Sequence, residues 1–501
     1  MAASHLSHKP LLPYLYAVSP RLWHFLTTGD ERPTTNLSYE TAVAQMYALG
    51  HELASTPAHK FDLAHMRVLL AALGNPERAF PSVLVAGTNG KGSTSATLAA
   101  ILRASGLKTG LYTSPHLVRI NERIRLDGAA ITDDDFALLH DVVDRTADRL
   151  VSERDLPWHP SFFEMLTAIA FEYFARSRPD VAVLEVGMGG RLDATNVVEP
   201  RVSVITDISL DHQKYLGETV REIAGEKAGI IRRGGVVVTL PQMPEANDVI
   251  GHAILDLGAR AVNAVPYVPP VSPGSGAFWH AARKTLTAEG AETSAKGAEQ
   301  SLRQRYPLAV MGEEIVVDSP LVGRHQLRNL ALAIAAAVEL REQGFSSITA
   351  VSIERGIRET RWPGRFQVVP AGAARPEMVL DVAHNPAGAW ALRAALSAQY
   401  EGRPVTMVFG VLRDKAIAEM TEILFPIAER VIVTHADNPR SAGAEEIRQA
   451  ARRVSAEISE AENVAAALAL ATGFAGPDGL VVVTGSIYII GEAMRVMGIG
   501  I

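Results

Sequence analysis

The chain contains no cysteine. That excludes disulfides, thiolate metal sites and a cysteine nucleophile. It also lacks a long uninterrupted hydrophobic run. The apolar stretch at 11–18 is broken by Pro13 and closed by Pro20, which is too short for a membrane span, and neither a charged start nor a cleavage site accompanies it. No large charge of either sign is present. A formal net charge of −7 offers no cationic surface to nucleic acid and too slight an acidic excess to imply a basic partner. These absences lead to the expectation of a cytoplasmic protein with no nucleic-acid or membrane partner. What is present, 48% hydrophobic and 21% charged residues over 501 positions, suits a globular chain too long for one core, so two or three domains are expected.

Residues 1–36 have no clean period and read as an N-terminal extension. Helical patterns at 40–54 and 63–73 follow, the second stopped by Gly74-Asn75-Pro76. Strands and helices then alternate. Strands are predicted at 83–86, 109–113, 181–186, 202–206 and 236–240, and helices at 93–104, 162–175 and 217–230. Continuous apolar strands between helices indicate a parallel sheet covered on both faces. A Pro-, Gly- and polar-rich stretch near 265–305 reads as an insertion, and an alanine-rich helix is predicted at 326–341. After Thr360-Arg361-Trp362-Pro363-Gly364 a second alternation begins: strands at 378–382, 405–409, 431–434 and 480–484, with helices at 387–399, 415–428, 444–454, 463–472 and 487–497. The expected fold class is α/β: an N-terminal domain with a phosphate loop and a mostly parallel sheet, plus a smaller Rossmann-like C-terminal domain. The expected division is a 37–360 central domain, a 361–366 linker and a 367–501 C-terminal domain.

Gly87-Thr88-Asn89-Gly90-Lys91-Gly92-Ser93 sits between a strand and a helix. Such a turn leaves backbone N–H groups aimed at one point, and the helix N-terminus and Lys91 add positive charge. That is a polyphosphate site. The strict P-loop pattern would place a glycine at 85 and Ser or Thr at 92; here stand Val85 and Gly92. Glu185 ends a parallel strand, where ligands bind in open α/β sheets, and precedes Gly187-Met188-Gly189-Gly190. Ser114 is either a hydroxyl for a metal or part of a Ser-Pro turn. Asp211-His212 is a weak pair except for its position after the 202–206 strand. Lys227, in a helical Glu-Lys pair, reads on base rates as solvated. In Asp381-Val382-Ala383-His384-Asn385-Pro386, capping explains Asn385 and Pro386 but leaves Asp381 and His384 unexplained. Arg365 is a fixed cation where two domains would meet.

Eleven strings in order, at 86–93, 114–117, 121–124, 162–164, 184–196, 210–212, 225–230, 323–329, 363–367, 381–386 and 485–492, resemble the folylpolyglutamate synthase and dihydrofolate synthase family of the Mur ligase superfamily. The resemblance implies an ATP-dependent amide ligase. In such enzymes ATP phosphorylates a pterin carboxylate, and the amino group of L-glutamate then displaces phosphate. Carried over residue by residue, it implies that Gly90, Lys91, Gly92 and Ser93 hold ATP phosphates, and that Asn329, Arg365 and Asp381 contact ATP. Ser114, Glu185 and His212 would bind Mg2+, with two ions in all, and Lys227 would carry a carbamate that ligates the second. Ser161, Phe162, Phe163 and Glu164, with Leu192, Asp193 and Ala194, would touch the pterin, and His384 would lie near the glutamate. The implied catalytic set is Lys91, Glu185, His212, Lys227 and His384, acting in a monomer whose small domain closes on the large one. The expected partners are dihydropteroate or a reduced folate, L-glutamate and ATP. A bifunctional enzyme, a folylpolyglutamate synthase alone, a cell-wall Mur ligase and a non-catalytic nucleotide-binding regulator are the readings to separate. No N-terminal α/β domain for a uridine nucleotide is evident.

Overall fold

The computed structural model describes residues 35–50, 63–270, 302–372, 375–476 and 478–500. Most of the N-terminal extension, residues 51–54 of the first predicted helix and the 271–301 part of the polar stretch lie outside them.

The chain opens with helices α1 (Tyr39–Ala48) and α2 (Leu63–Ala72), then strand β1 (Ser82–Ala86), α3 (Lys91–Ala104) and β2 (Thr109–Tyr112). Short strands β3 (Ile124–Leu126) and β4 (Ala129–Ala130) lead to α4 (Asp133–Glu153), α5 (Phe162–Ser177) and β5 (Val181–Glu185). Next come β6 (Val202–Ile205), α6 (Gln213–Leu216), α7 (Val220–Ala228), β7 (Val236–Thr239), α8 (Pro244–Leu257) and β8 (Arg260–Asn263). A hairpin of β9 (Gln304–Val310) and β10 (Glu313–Ser319) precedes α9 (Arg324–Glu342) and α10 (Ala350–Glu359).

Strands β1 to β8 form one sheet in the order β4-β3-β2-β5-β1-β6-β7-β8. From β2 to β8 it is parallel, and β3 and β4 run antiparallel. The central strands are buried on both faces because their alternate side chains enter different cores. In β1, Leu84 and Ala86 pack with α1, α2, α4 and α5, whereas Val83 and Val85 pack with α3, α9 and α10. The chain steps one way from β1 to β2, past the position later filled by β5, and then the other way from β5 across β1 to β6. That switch point places the carboxyl ends of β1, β5 and β6 around one crevice.

The second unit comprises β11 (Gln367–Val369), β12 (Glu377–Leu380), α11 (Pro386–Gln399), β13 (Val405–Phe409), α12 (Ile417–Leu424), β14 (Arg430–Val433), α13 (Ala444–Ala450), β15 (Glu457–Glu460), α14 (Val464–Ala475), β16 (Leu480–Thr484) and α15 (Ile487–Val496). Its sheet order is β11-β12-β16-β13-β14-β15, parallel except for β11. Two apolar clusters again cover its faces.

The structure alters several expected elements. The helix expected at 217–230 is α7 alone, starting three residues later than expected, and the one-turn α6 precedes it outside that range. Thr219 starts α7 afresh with a capping box, its hydroxyl accepting from the Glu222 backbone while Glu222 accepts from Thr219 N–H. The helix expected at 415–428 is α12 over Ile417–Leu424, followed by a single 3-10 turn at Phe425–Ile427 that contains Pro426. The 21-residue α4 stands where the sequence pattern predicts no element. The helix expected from 93 begins at Lys91, with Gly90 as its N-cap.

Candidate active site

The phosphate loop leaves β1 pressed against two neighbouring side chains that leave no room for a Cβ. A Cβ on Gly87 would lie 1.8 Å from Thr206 Oγ1, and one on Gly90, whose φ is +89°, would lie 2.1 Å from Asn329 Oδ1. The loop's amides are less free than a glycine-rich turn suggests. Thr88 and Asn89 N–H both donate to Asp207 O, at 2.9 and 3.1 Å. Asp207 is itself fixed by Arg328, whose Nη2 donates to Oδ1 at 2.6 Å. The donors left for an anion are the first-turn amides of α3, which no helix satisfies internally.

Two lysines share the Gly87 carbonyl. Lys91 Nζ donates to Gly87 O at 3.1 Å and to Thr88 O at 3.3 Å, and Lys227 Nζ donates to Gly87 O at 2.8 Å. Lys227 is 3% exposed, so the solvated base-rate reading of its Glu-Lys pair is overturned. Burial, and then Lys91, bring its ammonium down to about 7.

Glu185 is buried, and Ser114 N–H donates to its Oε2 at 3.3 Å. Burial pushes this carboxyl up to about 7 against the pull of Lys91 and Arg365. His212 caps α6 with φ 51°, and burial lowers its imidazole to about 4. A neutral imidazole, a carboxylate and a serine hydroxyl are donors that suit a divalent cation. Among the described residues no group of three or more His, Asp or Glu side chains gathers on one point.

Three cavities meet here. The first, about 480 Å³, runs from Met66, Trp158, Phe162 and Phe163 past Leu192 and Ala194 to His212, His384, Lys415 and Arg440. The second, about 400 Å³, is bordered by Gly90, Ser93, Asn329, Asp381 and His384. The third, about 40 Å³, lies between Gly92, Ser114, Glu185 and Trp362. Arg365 lines all three; Lys227 borders none of them and sits beneath the phosphate loop.

Some expected ligand contacts are already engaged by the protein. Glu164 Oε2 accepts from Ser161 N–H at 2.8 Å and from Ser161 Oγ at 2.7 Å, and its Oε1 lies 3.2 Å from His65 Nδ1. Burial raises this carboxyl, yet the His65 and Ser161 bonds prevail and hold it low. Both residues line the first cavity, but their first role is to start α5. Asp193 likewise accepts from Thr195 N–H at 3.0 Å and Met188 N–H at 2.9 Å. Asp381 accepts from Phe366 and Ala383 N–H, at 2.8 and 2.9 Å, so its carboxylate pins the turn that carries Arg365. His384 Nδ1 donates to Val382 O at 2.9 Å. With its imidazole lowered by burial to about 4, Nε2 presents a lone pair to the cleft.

Lys415 and Arg440 were missed in the sequence. Both lie in loops after carboxyl ends of parallel strands, the same signal that singled out Glu185. Asn385 does cap α11, accepting from Gly388 N–H at 2.8 Å, but its Nδ2 also donates to Asn89 Oδ1 at 2.9 Å. Capping is therefore not its whole explanation.

Residues 364–487 match the Mur ligase glutamate ligase domain. The chain is 33% identical over 440 residues to the dihydrofolate synthase/folylpolyglutamate synthase of Bacillus subtilis, covering 87% of this chain and 95% of that one. It is 34% identical over 455 residues to the folylpolyglutamate synthase of Lacticaseibacillus casei, covering 90% and 97%. The chain belongs to the folylpolyglutamate synthase/dihydrofolate synthase family. Its fold is that of the family too. A structure of the Mycobacterium tuberculosis folylpolyglutamate synthase complexed with ADP and AMPPCP superposes with a TM-score of 0.74 at 31% identity, covering 91% of this chain and 99% of that one. The E. coli FolC complex with DHPP and ADP gives 0.74 at 28% identity, covering 93% and 99%. No helix among the described residues is long and apolar enough to cross a membrane.

Proposed function

We propose that this family member is an ATP-dependent ligase that joins L-glutamate to dihydropteroate and to the glutamate tail of reduced folates through an acyl phosphate. The observation that carries the reading is the meeting of the cavities at Arg365 and His384. A phosphate donor and an organic acid must open onto one another for phosphoryl transfer between them.

In this reading the second cavity takes ATP. The α3 amides at Gly92 and Ser93, together with Lys91, hold its phosphates, while Asn329, Arg365 and Asp381 border the nucleotide. The first cavity takes the pterin against Phe162, Phe163, Leu192 and Ala194. Ser161, Glu164 and Asp193 act chiefly by shaping that wall. A carboxylate oxygen of the acid attacks the terminal phosphorus and ADP leaves. Lys91 and Arg365 stabilise the charge spread over the transferred group. The glutamate nitrogen then attacks the acyl carbon, and phosphate departs with an oxygen of the acid. His384 Nε2 accepts a hydrogen bond from that nitrogen and orients it. Ser114, Glu185 and His212 would hold Mg2+, which when bound offsets phosphate charge. Lys227, mostly neutral near pH 8 and so nucleophilic, would take up CO2 as a carbamate and hold a second ion. The enzyme acts as a monomer in the cytoplasm, where ATP is at hand.

The test is ADP release by purified protein given ATP, glutamate and either dihydropteroate or a reduced folate. Release with both marks the bifunctional enzyme. Release with the folate alone leaves a folylpolyglutamate synthase, and release with neither sinks the ligase reading. For Lys227, native mass spectrometry of bicarbonate-equilibrated protein is expected to show one added CO2 that acid removes. Lys227→Ala is expected to lose turnover and regain part of it with added acetate. A Lys227→Ala protein as active as wild type removes the carbamate.

A further inference from the structure

One carboxylate in the cleft, outside the proposed ligand contacts, ties the two units together. Asp211 lies in the loop after β6, and its side chain is 9% exposed. Lys415, which follows β13 in the other unit, donates from Nζ to Asp211 Oδ1 at 2.8 Å with its own side chain 8% exposed. Asn385 Nδ2, also from the second unit, reaches Asp211 Oδ2 at 3.3 Å as well as Asn89 Oδ1 in the phosphate loop. His384 Nε2 stands 3.8 Å from the same Oδ2. On its own side, Asp211 Oδ1 accepts from His212 N–H at 2.9 Å.

We propose that Asp211 is a positioning residue: with Lys415 and Asn385 it forms a latch that sets the closed arrangement of the two units during turnover. The inference rests on the ligase reading above. The physical reason is geometric. A buried ion pair adds little stability once its desolvation is counted, but it is intolerant of misalignment, because separating its members strands an unpaired charge. Here the members belong to different units, so the intolerance applies to the angle between them. The contacts on Asp211 also reach both reacting ends. Asn385 touches the phosphate loop, and Lys415 and His384 border the first cavity. Closure that satisfies Asp211 therefore brings the phosphate site and the acceptor side into register together.

The experiment is a double-mutant cycle of Asp211→Asn and Lys415→Met, with Asn385→Ser, which retains a capping hydroxyl, as a third variant. Each of the first two is expected to lower kcat roughly 10²-fold, the scale for misplacing reactants by an ångström. The double variant should fall no further than either single one. X-ray scattering with a non-hydrolysable ATP analogue and pterin acid should show wild-type compaction that all three variants reduce. Single-variant effects that multiply would overturn the latch, as would full compaction of the variants. So would a raised magnesium requirement in Asp211→Asn alone, or a raised glutamate KM in Lys415→Met alone, since those outcomes assign the residues to separate ligands. Wild-type protein that compacts without releasing ADP would fail the ligase reading while leaving the latch testable by scattering.

Discussion

Replacing Lys91 by alanine is expected to lower turnover at least about 10³-fold while leaving the fold intact. Removing one preorganised donor from a developing anion costs about that much, and here a full charge goes as well. The structure says why the fold should survive. Lys91 is only half-buried, and the two carbonyls it bonds are its own loop's. Gly87 O keeps Lys227 as a donor after the substitution. Thermal unfolding should be near that of wild type, with the loss confined to kcat. A second readout follows from the shared carbonyl: Lys91 is one cause of the lowered Lys227 ammonium, so its removal should let Lys227 hold its proton to higher pH. A Lys91→Ala variant with near-normal turnover would remove Lys91 from the mechanism.

Glu185→Gln is expected to lower turnover by orders of magnitude and, at the same time, to stabilise the metal-free protein above acidic pH. The folded carboxyl sits at about 7 rather than its ordinary 4.5. Between those values the folded chain holds a proton that the unfolded chain has released. Stability therefore falls as pH rises through this window, by about 3 kcal/mol in all. Glutamine carries no such proton. Urea unfolding of metal-free protein should show the variant equal to wild type near pH 4 and more stable by about 3 kcal/mol at pH 8. ADP release should be down by about 10³-fold. Equal pH dependence in the two proteins would show that the side chain is not the buried acid described, and near-normal turnover would remove it from the site. A stabilising change that destroys activity is the behaviour of a residue kept for function.

These two residues were legible because they obey local rules: a cation in a glycine-rich strand-to-helix turn, and a carboxylate ending a buried strand. The α/β fold class was legible for a related reason. Strands such as Val181–Glu185 are buried throughout and apolar up to their final residue, and that pattern has few other meanings. Helix α4 was harder to see because charge interrupts it; its apolar stripe of Phe136, Leu139, Val143, Ala147 and Leu150 emerges only when read at helical spacing. The burial of Lys227 was invisible locally, since Glu-Lys on a helix looks solvated until Gly87 is brought to it from 140 positions away. The contact between Asn385 and Asn89 spans 296 positions. Its capping role satisfied every local criterion, which is why its second role left no trace. The loops carrying Asp193 and Asp381 teach the opposite lesson: side chains that align with ligand-binding strings are held first by their own backbone.

Arg365 has a final implication for anyone reshaping this enzyme. One guanidinium borders all three cavities described, so under the proposed assignment an exchange at that position is expected to disturb the handling of more than one reactant. Under the same assignment, efforts to widen acceptor choice are better directed to the distant aromatic end, at Trp158 and Met66, which line the first cavity and not the other two.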